Sequence, residues 1–379
     1  MKRFIETLKN IYKIEDLRFR IGTTLFFLLI YRLGSFVSLP GIDPAQLQNL
    51  QSQTSDGLLG LINMFSGGAF AQASIFALGI MPYISASIVI QLMGIAVPYF
   101  QRLQKEGESG RRKINQITRY LTVIILIPQA SAYLTNLHFQ LPESAFAMTG
   151  IWFNIPSIVI LTAGSMFVLW LGERITDKGI GNGISLIIFA GIVAGLPSAI
   201  GGTLELARNG ELRPEFVIIL LAMAVLVTAF VVFVEGAQRR VTVNYANRQQ
   251  GRKMAMGQSS HLPLKLNMAG VIPPIFASSI ILFPSTLGSW FARSEGMEWM
   301  QAIVNKLQPG QPLYILFYAL AIIFFTFFYT ALVFNSRETA DNLKKAGAFI
   351  PGIRPGRETA KYIDGVMTRL TAVGAIYIT

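Results

Sequence analysis

Eight long apolar runs dominate the sequence, and each is long enough to cross a membrane as a helix. They cover residues 19–38, 75–96, 117–136, 153–172, 183–202, 215–235, 269–291 and 312–334. The hydrocarbon core of a bilayer is about 30 Å thick, and about 20 helical residues cross it. Charged residues make up 14% of the chain, against about 25% in soluble domains, so a soluble enzyme is disfavoured. The sequence predicts an all-α polytopic membrane protein.

A ninth apolar run begins near Leu370 and continues to Thr379. Ten helical residues rise only about 15 Å, so we expect the sequence to stop inside a ninth span. Residues 1–18 are charged and amphipathic, and no short apolar core with a cleavage site follows them. We therefore expect a cytoplasmic amphipathic N-terminus and a first span that is not a cleaved signal peptide.

The cations are divided unequally between the two sides of the predicted membrane. Of the 32 Lys and Arg residues, 27 fall in the N-terminal segment and in loops 97–119, 173–182, 236–268 and 335–369. Only four fall in the opposite loops, which are 39–74, 137–152, 203–214 and 292–311. Cytoplasmic loops carry the excess of cations, so the N-terminus and the long basic loops are predicted to be cytoplasmic.

Residues suited to metal binding, covalent catalysis or ion coupling are scarce. Cysteine is absent, and the two histidines, His138 and His261, lie far apart without a flanking ligand pattern. Glu173, Glu215 and Glu235 lie at the ends of apolar runs rather than at their centres, where an ion-coupled transporter needs them. The sequence therefore predicts no enzyme and no cofactor, and it favours a passive conduit.

Residues 82–90 and 273–281 resemble each other, with five of nine positions identical. The alternatives are chance similarity between two apolar helices and homology between two halves of the chain. Because the two segments belong to spans two and seven, homologous halves would hold five spans each and be inverted in the membrane. The halves would then be 19–202 and 215–379, joined by hinge loop 203–214.

The segment before span two is apolar, broken by glycine and too short to span. It covers residues 57–69, and it is either a re-entrant element or a helix at the membrane interface. Arg32 lies two-thirds along the first predicted span, from where its long side chain could reach an interface.

Several motifs resemble the SecY family, the channel subunits of the bacterial Sec protein translocase, and proteobacterial members most of all. They recur in order within residues 18–379: NMFSGG (63–68), IMPYISASI (80–88), KEGESGRR (105–112), GIGNG (179–183), QRR (238–240), NYA (244–246), RETADNL (337–343) and GAFIPGIRPG (347–356). The resemblance implies two inverted five-helix halves around a pore, here truncated within the ninth span. Such a channel passes unfolded secretory polypeptides across the bacterial inner membrane and releases membrane segments laterally. A secondary solute transporter with inverted repeats is the alternative.

The predicted pore residues come partly from the internal similarity and partly from the family. The similarity puts Ile84 and Ile275 at equivalent places, and a narrow apolar ring excludes ions without forming directional bonds. The resemblance extends this pore ring to Ile80, Ile84, Ile188 and Ile275. It also implies a plug at about residues 58–70, including Leu61, Asn63, Phe65, Gly67 and Gly68.

A lateral gate between spans two and seven is implied by the same resemblance. Its candidate residues are Ser85, Ser87, Gln91, Asn267, Ser278 and Phe283. Gln91 and Asn267 are the expected hydrogen-bonding pair, since a bond of about 0.6–2 kcal/mol suits a latch that must open.

The two long cytoplasmic loops contain cations far from the span ends, and Pro351 and Pro355 predict a shaped turn around Arg354. A guanidinium binds carboxylate or phosphate, so the partner is an acidic protein groove or ribosomal RNA. The resemblance names the SecA ATPase and the ribosome, with docking residues Arg239, Arg240, Arg248, Arg252, Lys253, Arg354 and Arg357. It also implies SecE, SecG, signal sequences and nascent secretory or membrane polypeptides as partners. The net charge of +12 predicts anionic lipids as a further partner.

Overall fold

The computed structural model describes most of the chain as helix, which confirms the predicted fold class. It describes residues 1–46, 63–64, 66–142, 144, 146–147, 150–210, 213–245, 248–250, 253–255, 259–270, 273–278, 280, 299 and 311–379. Two compact units are present: Met1–Gly202 with Ser279–Tyr314, and Thr203–Ser278 with Ile315–Thr379. The inverted relationship of the predicted halves stays a prediction.

Twelve helices are present in the described ranges. In chain order they are α1 Lys2–Lys13, α2 Glu15–Gly34, α3 Met81–Ala96, α4 Pro98–Lys105, α5 Glu108–Gln140, α6 Ile151–Lys178, α7 Gly183–Ala194, α8 Leu196–Arg208, α9 Pro214–Glu235, α10 Pro312–Val333, α11 Ser336–Lys345 and α12 Arg357–Ile378. Residues 273–278 are also helical, at the start of the predicted seventh span.

Within the described ranges, five helical stretches are long and apolar enough to cross a membrane. They are Glu108–His138, Ile151–Lys178, Gly183–Arg208, Pro214–Glu235 and Pro312–Lys345. The pair Met81–Gly94 and Pro98–Lys105, bent by 97°, makes a sixth if it is one span. Charged residues spread along α2 and α12 keep both helices outside this count, although their 20 and 22 residues suit the membrane thickness.

The predicted cytoplasmic loops 97–119 and 335–369 contain much helix, and the side of the membrane on which they lie stays a prediction. The first contains α4 and the start of α5, and Leu103 on the apolar face of α4 is buried. The second contains α11 and the first turns of α12, which begins at Arg357 rather than near Leu370. High charge density in these stretches was compatible with helix because the charges lie on exposed faces.

The first unit is held together by α2, α3, α5, α6 and α7. Its core contains Phe70, Tyr133, Leu137 and Leu161, each with no exposed surface. Helices α6 and α7 come closest at Gly172 and Gly183, where a Cβ on Gly183 would overlap the Gly172 carbonyl oxygen. Small residues let helix backbones approach in this way inside membranes.

The second unit adds a small sheet to the helical fold. Strands β1 Gln238–Tyr245, β4 Ser259–Lys265 and β5 Ala348–Phe349 form it in the order β4-β1-β5, and β2 Arg248–Gln250 pairs with β3 Lys253–Ala255. The predicted loop 236–268 is therefore largely an antiparallel hairpin, with Val241 opposite Leu262. Val241 and Val243 alternate with exposed residues along β1 and pack with Ile363 of α12, so one face of the sheet is buried.

Candidate functional site

Three of the four predicted ring residues lie in the first unit and are buried. Ile80 precedes α3, and the Ile84 backbone nitrogen donates a hydrogen bond to the Ile80 carbonyl oxygen, at 3.1 Å. Residues four apart share a helix face, so the two side chains are stacked on one side of α3. Ile188 lies on α7, and all three side chains are at most 5% exposed. Ile275 is half-buried in the helical residues 273–278 of the second unit, and the complete ring stays a prediction.

The described part of the predicted plug ends in a buried, non-helical segment. Residues 66–80 form turns, so the second-span helix begins at Met81 rather than at residue 75. The chain is forced out of helical geometry by positive φ angles at Gly67, Gly68 and Ala73, of 71°, 88° and 49°. Leu61 and Phe65 lie outside the described residues.

Side chains and backbone groups hold this segment against the end of α2. The Ser74 hydroxyl donates to the Gly34 carbonyl oxygen, at 2.9 Å. The Leu39 nitrogen donates to the Ala73 carbonyl, at 2.9 Å, and the Ile75 nitrogen to the Val37 carbonyl, at 3.0 Å. A non-helical segment among membrane spans needs such internal partners for its polar backbone.

Asn63, a predicted plug residue, turns the chain back on itself. Its side-chain oxygen accepts a hydrogen bond from the Ala71 nitrogen at 3.0 Å, and its carbonyl accepts from the Gly68 nitrogen at 2.9 Å. Tyr133 of α5 is fully buried and donates its hydroxyl to the Phe70 carbonyl, at 2.9 Å. Asn63 and residues 66–71 are therefore held to one another and to the bundle.

The predicted gate residues divide between the two units. Ser85, Ser87 and Gln91 lie on α3 and are half-buried, and the Gln91 side-chain oxygen is buried without a hydrogen-bond partner. The Asn267 side-chain nitrogen donates to the Glu235 carboxylate at 3.0 Å and to the Gly270 carbonyl at 3.2 Å. The Gln91–Asn267 pair stays a prediction.

Ser278, the other described gate residue, donates its hydroxyl to the Tyr318 hydroxyl oxygen, at 3.1 Å. This bond joins the helical residues 273–278 to α10 within the second unit. Phe283 lies outside the described residues.

The predicted docking cations are presented on a rigid platform. Arg239 and Arg240 are exposed on β1, next to the buried Val241 that packs with α12, and as successive strand residues they point to opposite faces of the sheet. Arg354 is exposed in a turn bounded by the positive φ angles of Gly352 and Gly356, and the Thr359 hydroxyl donates to its carbonyl, at 2.7 Å. Arg357, also exposed, begins α12.

The cations of the hairpin tip are only partly described. Arg248 lies in β2 and Lys253 in β3. The two strands are paired, with Arg248 opposite Ala255 and Gln250 opposite Lys253 in the register. Arg252 lies outside the described residues. The β2–β3 pair is therefore a second paired segment that lies between β1 and β4 in the sequence.

The partners of three polar residues were not predicted from the sequence. Arg119 and Glu173 form a bidentate ion pair between α5 and α6, with the Arg119 Nε donating to Glu173 Oε1 at 3.1 Å. Arg32 lies in the last turn of α2 rather than two-thirds along a span, and its guanidinium donates to the Gly67 carbonyl. A charge inside or beside an apolar run was the signal for all three.

Possible metal ligands do not cluster anywhere in the described residues. The molecule is a polytopic membrane protein with a buried non-helical segment among its spans. Its fold is similar to a structure described as that of a protein-conducting channel, with a TM-score of 0.62 and 17% identity, covering 95% of this chain and 84% of that one. Canine Sec61 in a ribosome–channel complex is similar with a TM-score of 0.57 and 16% identity, over 95% and 84% of the two chains. The fold is that of the protein-conducting channels.

Sequence comparison makes the assignment specific. The SecY family model matches residues 74–379. Protein translocase subunit SecY of Escherichia coli is 58% identical over 368 residues, which are 97% of this chain and 83% of that protein. SecY of Vibrio cholerae is 57% identical over 369 residues, with the same coverage. The chain belongs to the SecY family. The resemblance seen in the sequence motifs is confirmed, and the solute-transporter alternative is not favoured.

Proposed function

We propose that this protein is the channel subunit of a bacterial protein translocase, which passes unfolded secretory polypeptides across the inner membrane. The observation that carries the proposal is 58% identity to a protein translocase subunit over 97% of the chain. Membrane segments would leave the same channel sideways, between spans two and seven. The protein would act without a catalytic residue or a cofactor, because a passive conduit takes its energy from partners.

The seal of the channel would be the ring of Ile80, Ile84, Ile188 and Ile275. Branched apolar side chains line a narrow pore without offering hydrogen bonds, so water and ions are excluded while a polypeptide slides past. The burial of Ile80, Ile84 and Ile188 supports this role, since all three side chains are withdrawn from solvent within the first unit.

A plug at about residues 58–70 would close the far side of the ring. The turn at Asn63, Gly67 and Gly68 supports this role, because glycines with positive φ angles give a short segment a place to bend. Opening of the plug would be a hinge movement that leaves the bundle intact. A disulfide that locks the segment beside Ile275 should then block export.

The lateral gate would use weak polar contacts between Gln91 on α3 and Asn267. The buried, unpartnered side-chain oxygen of Asn267 supports this proposal, since it can accept a hydrogen bond from the Gln91 side-chain nitrogen across the gate. Such a contact is weak enough for a hydrophobic signal sequence to break.

The basic platform made by β1, β4 and the turn at Arg354 would bind the partners that drive translocation. We propose that it faces the cytoplasm together with the N-terminus, and that it binds the SecA ATPase and the ribosome, including ribosomal RNA. Two similar structures are those of Sec61 in a canine ribosome–channel complex and of a yeast Ssh1 complex bound to the ribosome. SecE and SecG would complete the membrane complex, signal sequences and nascent polypeptides would be its clients, and anionic lipids would surround it.

The proposal is tested by export into inverted inner-membrane vesicles from cells depleted of their own channel. Vesicles containing this protein should take up a secretory precursor when SecA and ATP are supplied. Vesicles with an equal amount of an unrelated polytopic protein are the control. Absence of uptake, with the protein present and assembled with SecE and SecG, would refute the function.

A further inference from the structure

Arg32, in the last turn of α2, forms a charged hydrogen bond with the backbone of the proposed plug. Its Nη1 donates to the Gly67 carbonyl oxygen at 2.6 Å, and its guanidinium lies over the Phe36 ring at 5.2 Å. In the described ranges no carboxylate pairs with it. A cation among membrane spans is costly unless it is paired, and a charged donor forms the stronger kind of hydrogen bond. The Gly67 carbonyl is therefore the principal partner of this charge.

Tyr31, the preceding residue of α2, holds the adjacent carbonyl. Its hydroxyl donates to the Ser66 carbonyl oxygen at 3.1 Å, and its side chain is 1% exposed. Its ring stacks on Phe76, with centroids 6.0 Å apart and planes 7° apart. Two consecutive residues of α2 thus bind two consecutive carbonyls of the segment that follows Asn63.

The two carbonyls lie at the point where the chain turns. Gly67 has a φ of 71°, and a Cβ there would lie 3.0 Å from Arg32 Nη1 and 3.1 Å from the Gly191 Cα of α7. The turn is therefore enclosed between α2 and α7. Downstream, residues 73–75 are bound to the chain after α2 by backbone hydrogen bonds. Among the described residues that follow Asn63, Ser66 and Gly67 are the first whose carbonyls accept hydrogen bonds from side chains of α2.

We propose that Tyr31 and Arg32 form an anchor that sets how readily the plug leaves its closed position. This inference rests on the proposed plug. Displacing the plug would pull the Gly67 carbonyl away from Arg32 and break this charged hydrogen bond. Arg32 is a positioning residue: it does not touch the translocating polypeptide, and it acts through the turn at Gly67.

The absence of cysteine from the sequence permits a direct test. Met64 precedes the anchor and is 49% exposed, so Met64→Cys gives one thiol whose labelling rate reports on this end of the plug. The rate of reaction with a membrane-impermeant maleimide is measured in vesicles containing the complete translocase. Idle vesicles are compared with vesicles that hold a stalled secretory precursor.

Arg32→Met should raise the labelling rate of the idle channel about tenfold, because the part-buried Gly67 carbonyl loses a charged donor. Arg32→Lys should give a smaller increase, since an ammonium reaches the same carbonyl as a point charge. Tyr31→Phe keeps the stacked ring, removes one hydrogen bond and should also raise the rate. The matched control is Arg18→Met, at the exposed start of α2, which should leave the rate unchanged.

The outcomes separate the anchor from the plug. If the stalled precursor leaves the labelling of the parent Met64→Cys protein unchanged, the plug is wrong, and the anchor falls with it. If the precursor raises labelling but Arg32→Met and Tyr31→Phe leave the idle rate unchanged, the anchor alone is refuted. A purely structural role of Arg32 makes a different prediction. It predicts that Arg32→Lys lowers the melting temperature without changing the labelling rate, so a raised labelling rate would refute it.

Discussion

The contact between α6 and α7 predicts a large effect from one added methyl group. A Cβ on Gly183 would overlap the Gly172 carbonyl oxygen, and it would lie 2.8 Å from the carbonyl carbon and 2.9 Å from Ile175 Cβ. These neighbours are backbone or the first atom of a branched side chain, so none can rotate away. Gly183→Ala must therefore push α7 from α6, and α7 carries the ring residue Ile188.

The structure also sets the size of this effect. Overpacking a tight contact by a methyl group costs about 1–3 kcal/mol. The matched substitution is Gly201→Ala in α8, where a Cβ would meet nothing within 4 Å. At an open helical position, replacing Gly with Ala should stabilise the protein by about 0.5–1 kcal/mol. The two variants should therefore differ by about 1.5–4 kcal/mol in the free energy of unfolding.

The assay is thermal unfolding of the purified translocase in one detergent, with export measured in parallel. At about 2 °C per kcal/mol, Gly183→Ala should melt at least about 3 °C below Gly201→Ala. Export by Gly183→Ala should also fall, since Ile188 moves with α7. Equal melting temperatures for the two variants would refute the close approach of α6 and α7.

Three further predictions concern the proposed channel. Ile84→Gly combined with Ile188→Gly should make idle proteoliposomes of the complete translocase leak ions, because the apolar constriction widens; unchanged ion tightness would count against the ring. Gln91→Leu removes the side-chain amide that would bond Asn267 and should let precursors with weak signal sequences through more readily, as export assays would detect; identical selectivity would discount the latch. Arg354→Glu should abolish SecA-driven export without preventing membrane insertion, whereas Arg240→Glu should chiefly weaken ribosome binding, and less at high salt, where the lost ionic contact is screened; full SecA-dependent export by Arg354→Glu would remove the docking role.

The spans were the most predictable part of the fold, because one property, apolar length, decides them. The runs at 153–172 and 215–235 fall inside α6 and α9, and α6 continues past its run from Glu173 to Lys178. That extension is polar, and the Glu173 carboxylate pairs with Arg119 of α5. Hydropathy gives no sign that a helix continues past the apolar run into the interface.

The non-helical parts were harder to predict, because tertiary contacts stabilise them. Residues 75–80 are as apolar as the helix that follows, yet hydrogen bonds to Gly34 and Val37 hold this stretch in turns. The β1–β4 hairpin was missed because its charges were interpreted as topology signals. The alternation of Val241 and Val243 with polar residues was the overlooked strand signal.

The candidate site was predictable to the extent that motifs carry it. The burial of Ile80 and Ile84 agrees with a sealing role, but their relation to Ile275 depends on two units of the fold. Arg32 was noticed as an anomaly without a partner, because its acceptor is a backbone carbonyl distant in sequence. A backbone acceptor leaves no mark in a single sequence.

The path of a translocating polypeptide is the central claim, and site-specific photocrosslinking tests it most directly. A photoreactive residue placed at Ile84 or Ile188 should crosslink to a secretory precursor stalled in the complete translocase. The control is Ile218 on α9, which is 68% exposed on the surface of its helix and should crosslink to lipid or neighbouring subunits. Strong crosslinks to the precursor from both ring positions and none from Ile218 are the predicted result. Precursor crosslinks that are absent from the ring, or as strong from Ile218, would contradict the account.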